Sequence, residues 1–235
     1  MRLDKYISSS SLLTRSEVKK VIKKGVLVNG ELIKKADYKV DELTDIIEVL
    51  GERLEYREFI YIMLNKPQGI ISATEDKIDK TVVDLLEDRD RILNPFPVGR
   101  LDKDTEGLIL LTNDGDLAHK LLSPKKDITK KYYVEVDKDL NDNDKELFFK
   151  GIILDDGYLC KSAKLEIISN KRAYLTISEG KFHQIKRMMK AINRKVTYLK
   201  RLEIGPLILD DSLPLGKYRH LSKKEINNLQ IIKEK

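Results

Sequence analysis

The apolar positions near the start of the chain predict an amphipathic helix. Val18, Val21 and Ile22 recur at the spacing of one helical face. Thr14 and Glu17, just before them, have the spacing of a capping box, which satisfies free backbone amides at a helix start. Lysines fill the other positions of the segment. The predicted helix is therefore apolar on one side and strongly positive on the other.

Short β runs follow this helix. The runs over Val26–Val28 and Glu31–Ile33 flank an Asn-Gly pair, which suits the type I′ turn of a β-hairpin. A further short strand is expected over residues 46–49, and residues 51–58 are expected to form a charged linker. Residues 1–55 are therefore predicted to be a small α/β domain.

From residue 60 onward, apolar runs of strand length outnumber helical patterns. The expected strands cover residues 61–64, 108–112, 132–136, 163–168, 173–177, 196–204 and 207–209, and helices are expected over 183–192 and after Ser222. Residues 65–69 contain a proline and a glycine and are expected to form a turn. Strands with few intervening helices predict the α+β class, with a mixed, mostly antiparallel sheet in a second domain over residues 60–235.

Composition excludes several classes of protein. Of the 235 residues, 41 % are hydrophobic and 36 % are charged, which indicates a folded chain with a heavily solvated surface. No apolar run approaches the ~20 residues that cross a bilayer, and charged residues among the first ten argue against a signal peptide. A single cysteine, Cys160, excludes an internal disulfide and a zinc cluster. We therefore expect a cytoplasmic protein with no membrane or metal partner.

The distribution of charge says more than its total. The chain has 45 Lys+Arg and 39 Asp+Glu, a net charge of +6. Residues 1–40 hold ten basic and four acidic side chains, and residues 181–201 hold eight basic side chains and no acid. Two separated basic segments favour a polyanion such as nucleic acid. From charge alone, a lysine-rich solubilising surface is the alternative.

An acidic loop is the densest candidate for chemistry. Asp102, Asp104 and Glu106 alternate before Gly107, as in a calcium-binding loop, but Asn113 stands where that loop needs a bidentate glutamate. Calcium binding is therefore excluded. A carboxylate pair for glycosidic-bond chemistry is the second interpretation, with acids that are merely solvated as its alternative.

Three motifs occur in order near the start of the chain. They are RLDKYI from residue 2, TRSE from residue 14 and GVLVNG from residue 25. The set resembles the RNA-binding domain named after a small-subunit ribosomal protein, the S-four-like domain. The resemblance implies RNA-phosphate contacts for Arg2, Arg15, Lys19, Lys20 and Lys23. Lysines that only solvate the helix are the alternative.

Four further motifs follow in a fixed order. FPVGRLDKDTEG begins at residue 96, KKYYV at 130, GKFHQIKRMM at 180 and LEIGPL at 202. Together they resemble the motifs of the RsuA-type pseudouridine synthases, and with the RNA-binding motifs the resemblance spans nearly the whole chain. It implies an enzyme that converts uridine to pseudouridine in ribosomal RNA. The reaction adds no atom and changes no redox state, so no cofactor or metal is expected.

The resemblance implies a role for each residue at a matching position. Asp102 takes the place of the catalytic nucleophile. The match to the family's Lys-x-Tyr-x-Val motif implies that Tyr132, rather than Tyr133, is the active-site tyrosine. Alternation supports this distinction, because neighbouring side chains of a strand point to opposite faces. Core packing is the alternative for this ring. Lys186 takes the place of a cation that is arginine in many relatives, with Arg187 as the fallback.

The same resemblance implies substrate contacts around these residues. Arg100 is expected to help open the RNA at the target base, and the aliphatic Ile204 is expected to line the uracil pocket. Leu101, Arg187 and His183 are further candidates for substrate binding. For His183, a purely structural role is the alternative.

One position in the acidic loop favours a small-subunit target. Glu106 stands where large-subunit relatives usually have serine. The expected partner is therefore 16S ribosomal RNA, free or in a partly assembled subunit, and the implied activity is like that of the pseudouridine-516 synthase. The protein is expected to act as a monomer. A 23S rRNA synthase and a non-catalytic rRNA-binding or ribosome assembly factor are the alternatives, although the latter would be expected to lose a catalytic residue.

Overall fold

The computed structural model of the protein describes residues 1–231. Residues 232–235, the last four of the predicted second domain, lie outside the described part. Contacts divide the chain into two compact units. The first comprises Met1–Ile60 and Leu86–Pro95, and the second comprises Tyr61–Leu85 and the chain from Phe96 onward.

The first unit combines helices with a small antiparallel sheet. Its elements are α1 (Leu3–Ser10), α2 (Arg15–Lys24), β1 (Val26–Val28), β2 (Glu31–Ile33), β3 (Ile47–Val49), β4 (Glu52–Leu54) and the short α3 (Asp88–Arg91). The strands are ordered β2-β1-β3-β4. Leu3, Ile7, Ile22 and Ile47 fill the core, and each is at most 1 % exposed. Apolar burial between the helices and the sheet therefore holds this unit together.

Local sequence explains the first helix and hairpin that were predicted. The Thr14 hydroxyl accepts a hydrogen bond from the Glu17 amide, and the Glu17 carboxylate accepts one from the Thr14 amide, so the capping box of α2 is confirmed. Asn29 and Gly30 have φ values of 53° and 84°, as a type I′ turn requires.

The expected charged linker is wrong in its first half. Leu50 and Gly51 also have positive φ values, 54° and 85°, and turn the chain back on itself. The segment that follows forms β4, which pairs antiparallel with β3. Both faces of this strand are largely open to solvent, so its side chains are mainly charged. The sequence therefore did not predict a strand here.

The second unit is built on a nine-stranded sheet. Its elements are β5 (Tyr61–Lys66), β6 (Phe96–Val98), β7 (Glu106–Thr112), α4 (Gly115–Leu122), β8 (Lys130–Val136), α5 (Asp142–Lys150), β9 (Lys164–Ser169), β10 (Arg172–Ile177), α6 (Gln184–Ala191), β11 (Val196–Ile204), β12 (Leu207–Ile208), β13 (Tyr218–His220) and α7 (Lys223–Gln230). The order is β13-β5-β7-β11-β8-β10-β9, with β6 beside β7 and β12 beside β11. Among the described pairs, β7 and β11 are parallel and the others antiparallel. The predicted α+β class with a mixed, mostly antiparallel sheet is confirmed.

Two apolar clusters pack against this sheet. One joins β8 and β10 to α5 and α6, with Phe148 and Met188 fully buried. The other joins β5 and β7 to α4 and α7, with Leu121 and Leu229 fully buried. The helices therefore cover different parts of the sheet, and β11 lies between the two parts.

A glycine allows β7 and β11 to approach. Gly107 pairs with Arg201 across the two strands and has a φ of 103°. A Cβ atom at this position would lie 2.2 Å from the Arg201 carbonyl oxygen and 2.8 Å from its amide nitrogen. A side chain there would force the strands apart.

Within residues 1–231, no helix combines the length and the apolar character that a membrane crossing requires.

Replacing this glycine is expected to weaken the fold. Gly107→Ala should lower the free energy of unfolding by at least about 2 kcal/mol, because alanine disfavours positive φ and its methyl group would overlap the Arg201 backbone. The matched control is Gly115→Ala at the start of α4, where no atom lies within 4 Å of the Cβ position. Urea unfolding of both variants measures the difference. Equal stability of the two variants would contradict the close approach of the strands.

Candidate active site

The loop between β6 and β7 carries the acidic motif, and its backbone is fixed on both sides of Asp102. Before it, Ser72 donates a hydrogen bond to the Leu101 carbonyl at 2.9 Å and accepts one from the Leu101 amide at 3.0 Å. After it, the Thr105 amide donates to the Asp102 carbonyl at 3.0 Å. Ser72 and Thr105 are both buried. The backbone position of Asp102 is therefore set by protected hydrogen bonds.

Lys66 binds the same loop from the end of β5. Its side chain is 0 % exposed, and Nζ lies 3.0 Å from the Asp102 carbonyl oxygen, 2.9 Å from that of Thr105 and 3.1 Å from that of Pro67. Burial lowers the pKa of Lys66 to about 8, while nearby carboxylates oppose that shift. At neutral pH, the group is thus mainly an ammonium that joins the loop carbonyls.

The side chain of Asp102 faces α6. Lys186 Nζ lies 2.9 Å from Asp102 Oδ2 and 2.6 Å from Asp104 Oδ1, so two carboxylates share one ammonium. His183 Nε2 lies 3.5 Å from the other oxygen of Asp102, Oδ1. Asp102 and Lys186 each keep 27 % of the side chain exposed. The ion pair is therefore ordered by the protein but open to a substrate.

The electrostatics follow from this sharing. A hydrogen bond from Lys186 is the main cause that lowers the pKa of Asp104, and partial burial opposes it. Burial by itself lowers the pKa of Lys186, but hydrogen bonds to Asp104 and Asp102 outweigh it and raise the pKa above its ordinary value. Lys186 therefore stays charged throughout the neutral range.

The apolar side of α6 determines where Lys186 points. Ile185 and Met188 are buried in the cluster that covers β8 and β10. Lys186 and Arg187 lie on the more open side of the helix. The helix begins after His183, whose φ of 47° is in the left-handed region. This turn places the imidazole and the Lys186 ammonium on the same carboxylate.

Tyr132 lies on β8. Its ring is 8 % exposed and belongs to the same apolar cluster as Leu101 and Ile185, each of which immediately precedes a charged residue of the site. Tyr133 points to the opposite face, where its hydroxyl donates a hydrogen bond to Glu135 at 2.6 Å. The alternation that separates the two tyrosines is present in the structure.

Three residues were predicted to contact the substrate, of which two have partners away from Asp102 and one makes no salt bridge within the described part of the chain. Arg187 binds Asp155 and Asp156, with Nε 2.6 Å from Asp155 Oδ1 and Nη2 2.7 Å from Asp156 Oδ2. Ile204 packs in the other apolar cluster, with β5 and β7. Arg100 is exposed and makes no salt bridge within residues 1–231. The structure therefore does not bring Arg187 or Ile204 to the Asp102 carboxylate.

The predicted RNA contacts of the first unit lie mainly along α2. Arg15, Lys19, Lys20 and Lys23 are all exposed, and none of them makes a salt bridge within the described part of the chain. Arg2 differs, because its guanidinium binds the Asp4 carboxylate at 2.7 and 3.0 Å. Helix α2 thus presents these four cations to solvent, together with Lys24.

Sequence reasoning missed two residues of the site, Lys66 and Ser72. The expected turn over residues 65–69 begins too early, because β5 continues through Lys66. A lysine at the end of an apolar strand, next to a proline, was the available signal. Ser72 carried none, because its partner Leu101 is distant in the chain.

Two family models match the chain. Residues 60–191 match the family described as RNA pseudouridylate synthase, and residues 1–47 match the S4 domain. These matches confirm the resemblance of the sequence motifs.

Whole proteins are similar over nearly their full length. The chain is 49 % identical over 234 residues to an uncharacterized RNA pseudouridine synthase, YtzG, of Bacillus subtilis, covering 97 % of this chain and 98 % of the relative. It is 37 % identical over 228 residues to ribosomal small subunit pseudouridine synthase A of Escherichia coli, covering 96 % and 98 %. A crystal structure of a pseudouridylate synthase aligns with a TM-score of 0.70 and 39 % identity, covering 97 % and 99 %.

Removing the Lys66 ammonium is expected to loosen the acidic loop. Lys66→Met keeps the length of the side chain but removes the donor that the loop carbonyls share. The Thr105 amide should exchange its hydrogen at least about tenfold faster, since local opening becomes easier. Hydrogen exchange followed by NMR gives the rate.

The matched control for this variant is Lys103→Met. It removes an exposed ion pair with Asp79, 2.6 Å long, and should leave exchange at Thr105 within about twofold. Unchanged exchange in Lys66→Met would show that the ammonium does not hold the loop.

Proposed function

Because this chain belongs to the family of RNA pseudouridylate synthases, we propose that it isomerises a uridine of 16S ribosomal RNA to pseudouridine, with Asp102 as the nucleophile. The observation that carries the proposal is the open ion pair between Asp102 and Lys186, 2.9 Å long, in the same region as the ring of Tyr132. An ionised carboxylate, its cation and an aromatic ring are the groups that the reaction requires.

The chemistry explains why these groups suffice. Pseudouridine formation breaks the N1–C1′ bond of uridine and joins C5 to C1′, with no change in composition or redox state, so it needs neither cofactor nor metal. A base stacked on a carboxylate removes water and disfavours its charged form. The Lys186 ammonium offsets that effect at Asp102. Attack on C1′, attack on C6 and removal of a 2′ proton all require Asp102 at this place.

The remaining site residues act around this pair. The Tyr132 ring packs on the uracil, and its hydroxyl is available to assist proton removal from C5. His183 contacts the nucleotide from the other side of the carboxylate. Leu101 supplies apolar surface for the base, whereas Ile204 is buried in the other apolar cluster and takes no part in this contact. Arg187 binds Asp155 and is therefore not at Asp102, so Lys186 is the active-site cation.

Arg100 has a different part, at the RNA strand rather than at the base. It is exposed two residues before the nucleophile. An extended cation at this point is suited to enter the RNA where the target base leaves its stack. Extrusion of a base costs a few kcal/mol unless the base is already unpaired.

Two observations favour the small-subunit RNA. Relatives that are 40 % and 37 % identical are named ribosomal small subunit pseudouridine synthase A. Glu106, where large-subunit relatives usually have serine, also has a partner of its own, because it accepts a hydrogen bond from the Tyr198 hydroxyl at 2.6 Å. The proposal includes action as a monomer in the cytoplasm, on free 16S rRNA or a partly assembled subunit. A 23S rRNA synthase is the second candidate.

The first domain supplies affinity rather than chemistry in this proposal. Residues 1–55 bind RNA through Arg2 and four exposed cations of α2, and residues 60–235 carry the reaction. Phosphate contacts of this kind hold an RNA without reading its sequence. The cations of α2 are suited to them because no carboxylate of the described chain forms a salt bridge with them.

Tritium release tests the reaction and its residues. Transcripts of 16S and 23S rRNA carrying tritium at uridine C5 lose it when pseudouridine forms. Wild-type protein should release tritium from the 16S transcript. Asp102→Ala should fall below about 1 % of that rate, because no other group replaces the nucleophile. Lys186→Met should lose about a hundredfold with RNA affinity kept within a few-fold.

Asp104→Ala is the matched control for these variants. Its carboxylate is 68 % exposed and shares the same lysine, so its loss should cost no more than about tenfold. Release from 23S rRNA alone selects the second candidate. No release from either RNA contradicts an enzymatic role and is the outcome that a non-catalytic assembly factor predicts.

The cations of α2 should account for part of the salt dependence of RNA binding. Lys19→Ala combined with Lys23→Ala removes two exposed charges, which should flatten the slope of log K against log salt by about 1.5. The matched double variant, Lys145→Ala with Lys150→Ala, removes two lysines of α5 that already bind carboxylates. It should leave the slope unchanged. Equal slopes for both double variants would remove α2 from the RNA-binding surface.

A further inference from the structure

An aromatic ring stands open to solvent next to the proposed nucleophile. Phe182 is 77 % exposed, the largest exposed fraction of any aromatic side chain in the described chain. One face of its ring stacks on the imidazole of His183, with centroids 3.8 Å apart and planes 20° apart. Since the exposed fraction stays this high with one face covered, the opposite face of the ring is free.

The position of this ring is set by its neighbour. His183 Nε2 lies 3.5 Å from Asp102 Oδ1, so the stacked rings of Phe182 and His183, here called the aromatic pair, begin at the catalytic carboxylate and extend outward. The positive φ of His183, 47°, is unfavourable for a residue with a Cβ. Such a conformation at a site is typical of a side chain held in place for a ligand.

The surroundings define what the free face would accept. The segment 181–201 carries eight basic side chains and no acid, which favours a partner that carries negative charge. Lys181, which precedes Phe182, lies with its ammonium 4.5 Å from the ring of Tyr158. A flat apolar face next to fixed cations matches a nucleic acid base on its phosphate backbone.

We propose that the aromatic pair is a stacking platform for the RNA base adjacent to the target uridine. When the target base leaves its stack to reach Asp102, the adjacent base loses a neighbour. The Phe182 ring replaces that neighbour, so part of the cost of extrusion is recovered at the site. The inference rests on the proposed function, because it takes RNA as the substrate and a uridine extruded at Asp102.

Fluorescence tests the contact directly, because the chain contains no tryptophan. Phe182→Trp introduces a single indole at the platform, and its emission should be quenched when a short single-stranded RNA binds. Phe149→Trp is the matched control, since Phe149 is 73 % exposed on α5 and belongs to no part of the site. Its emission should not change. A strand of the same length without bases should bind more weakly and leave the emission of Phe182→Trp unchanged.

Affinity separates stacking from general apolar contact. Phe182→Leu keeps apolar surface but has no ring, and it should bind the 16S transcript about 5- to 100-fold more weakly, the range for one stacked base. Phe182→Tyr should restore wild-type affinity. Tritium release at limiting RNA should fall with affinity in Phe182→Leu and return to the wild-type rate in Phe182→Tyr.

The results distinguish this inference from the proposed function. If RNA quenches the emission of Phe182→Trp but wild-type protein releases no tritium, base stacking on Phe182 is supported and the proposed function is contradicted, together with the target uridine beside the stacked base. Normal tritium release with wild-type affinity in Phe182→Leu removes the platform and leaves the enzyme. Equal quenching by RNA with and without bases also overturns the platform, since the indole would then sense only the backbone.

Discussion

One buried ammonium group holds the loop on which the site depends. Lys66 sits at the end of β5, and the carbonyls of Asp102 and Thr105 converge on its Nζ. A buried positive charge is tolerated only where acceptors surround it, so the loop is drawn onto the strand and cannot relax independently. The backbone of Asp102 is held on this side, and its carboxylate is held by Lys186 on the other. Both ends of the proposed nucleophile are therefore restrained.

Local regularity made part of this molecule predictable. The capping box at Thr14 and the alternation along residues 196–204 are properties of neighbouring residues, and the structure contains α2 and β11 as expected. The order of the motifs indicated Asp102, Lys186 and Tyr132 as one site. The motif selected Tyr132 over Tyr133 with the support of alternation, and the two rings do lie on opposite faces of β8.

Other features depend on partners that arrive from distant parts of the chain. In the sequence, Lys66 resembles the start of a turn, but in the structure it binds loop carbonyls. The segment that forms β4 resembles a charged linker in the sequence, but it pairs with β3. Arg187 was an alternative to Lys186 because both follow the same motif. Their partners distinguish them, because Lys186 contacts Asp102 whereas Arg187 contacts Asp155 and Asp156, in a loop with no sequence signal. Contacts between residues that are distant in the chain cannot be predicted from local propensity.

The sharing of Lys186 between Asp102 and Asp104 has a consequence for what enters the site. With both carboxylates ionised, this triplet carries one net negative charge, although the segment 181–201, which contains Lys186, holds eight basic side chains and no acid. An uncharged nucleobase meets no electrostatic barrier there, whereas a phosphate is repelled towards the cations around it. The charge pattern thus favours a nucleotide whose phosphate lies at the surrounding cations and whose uncharged base lies at the two carboxylates.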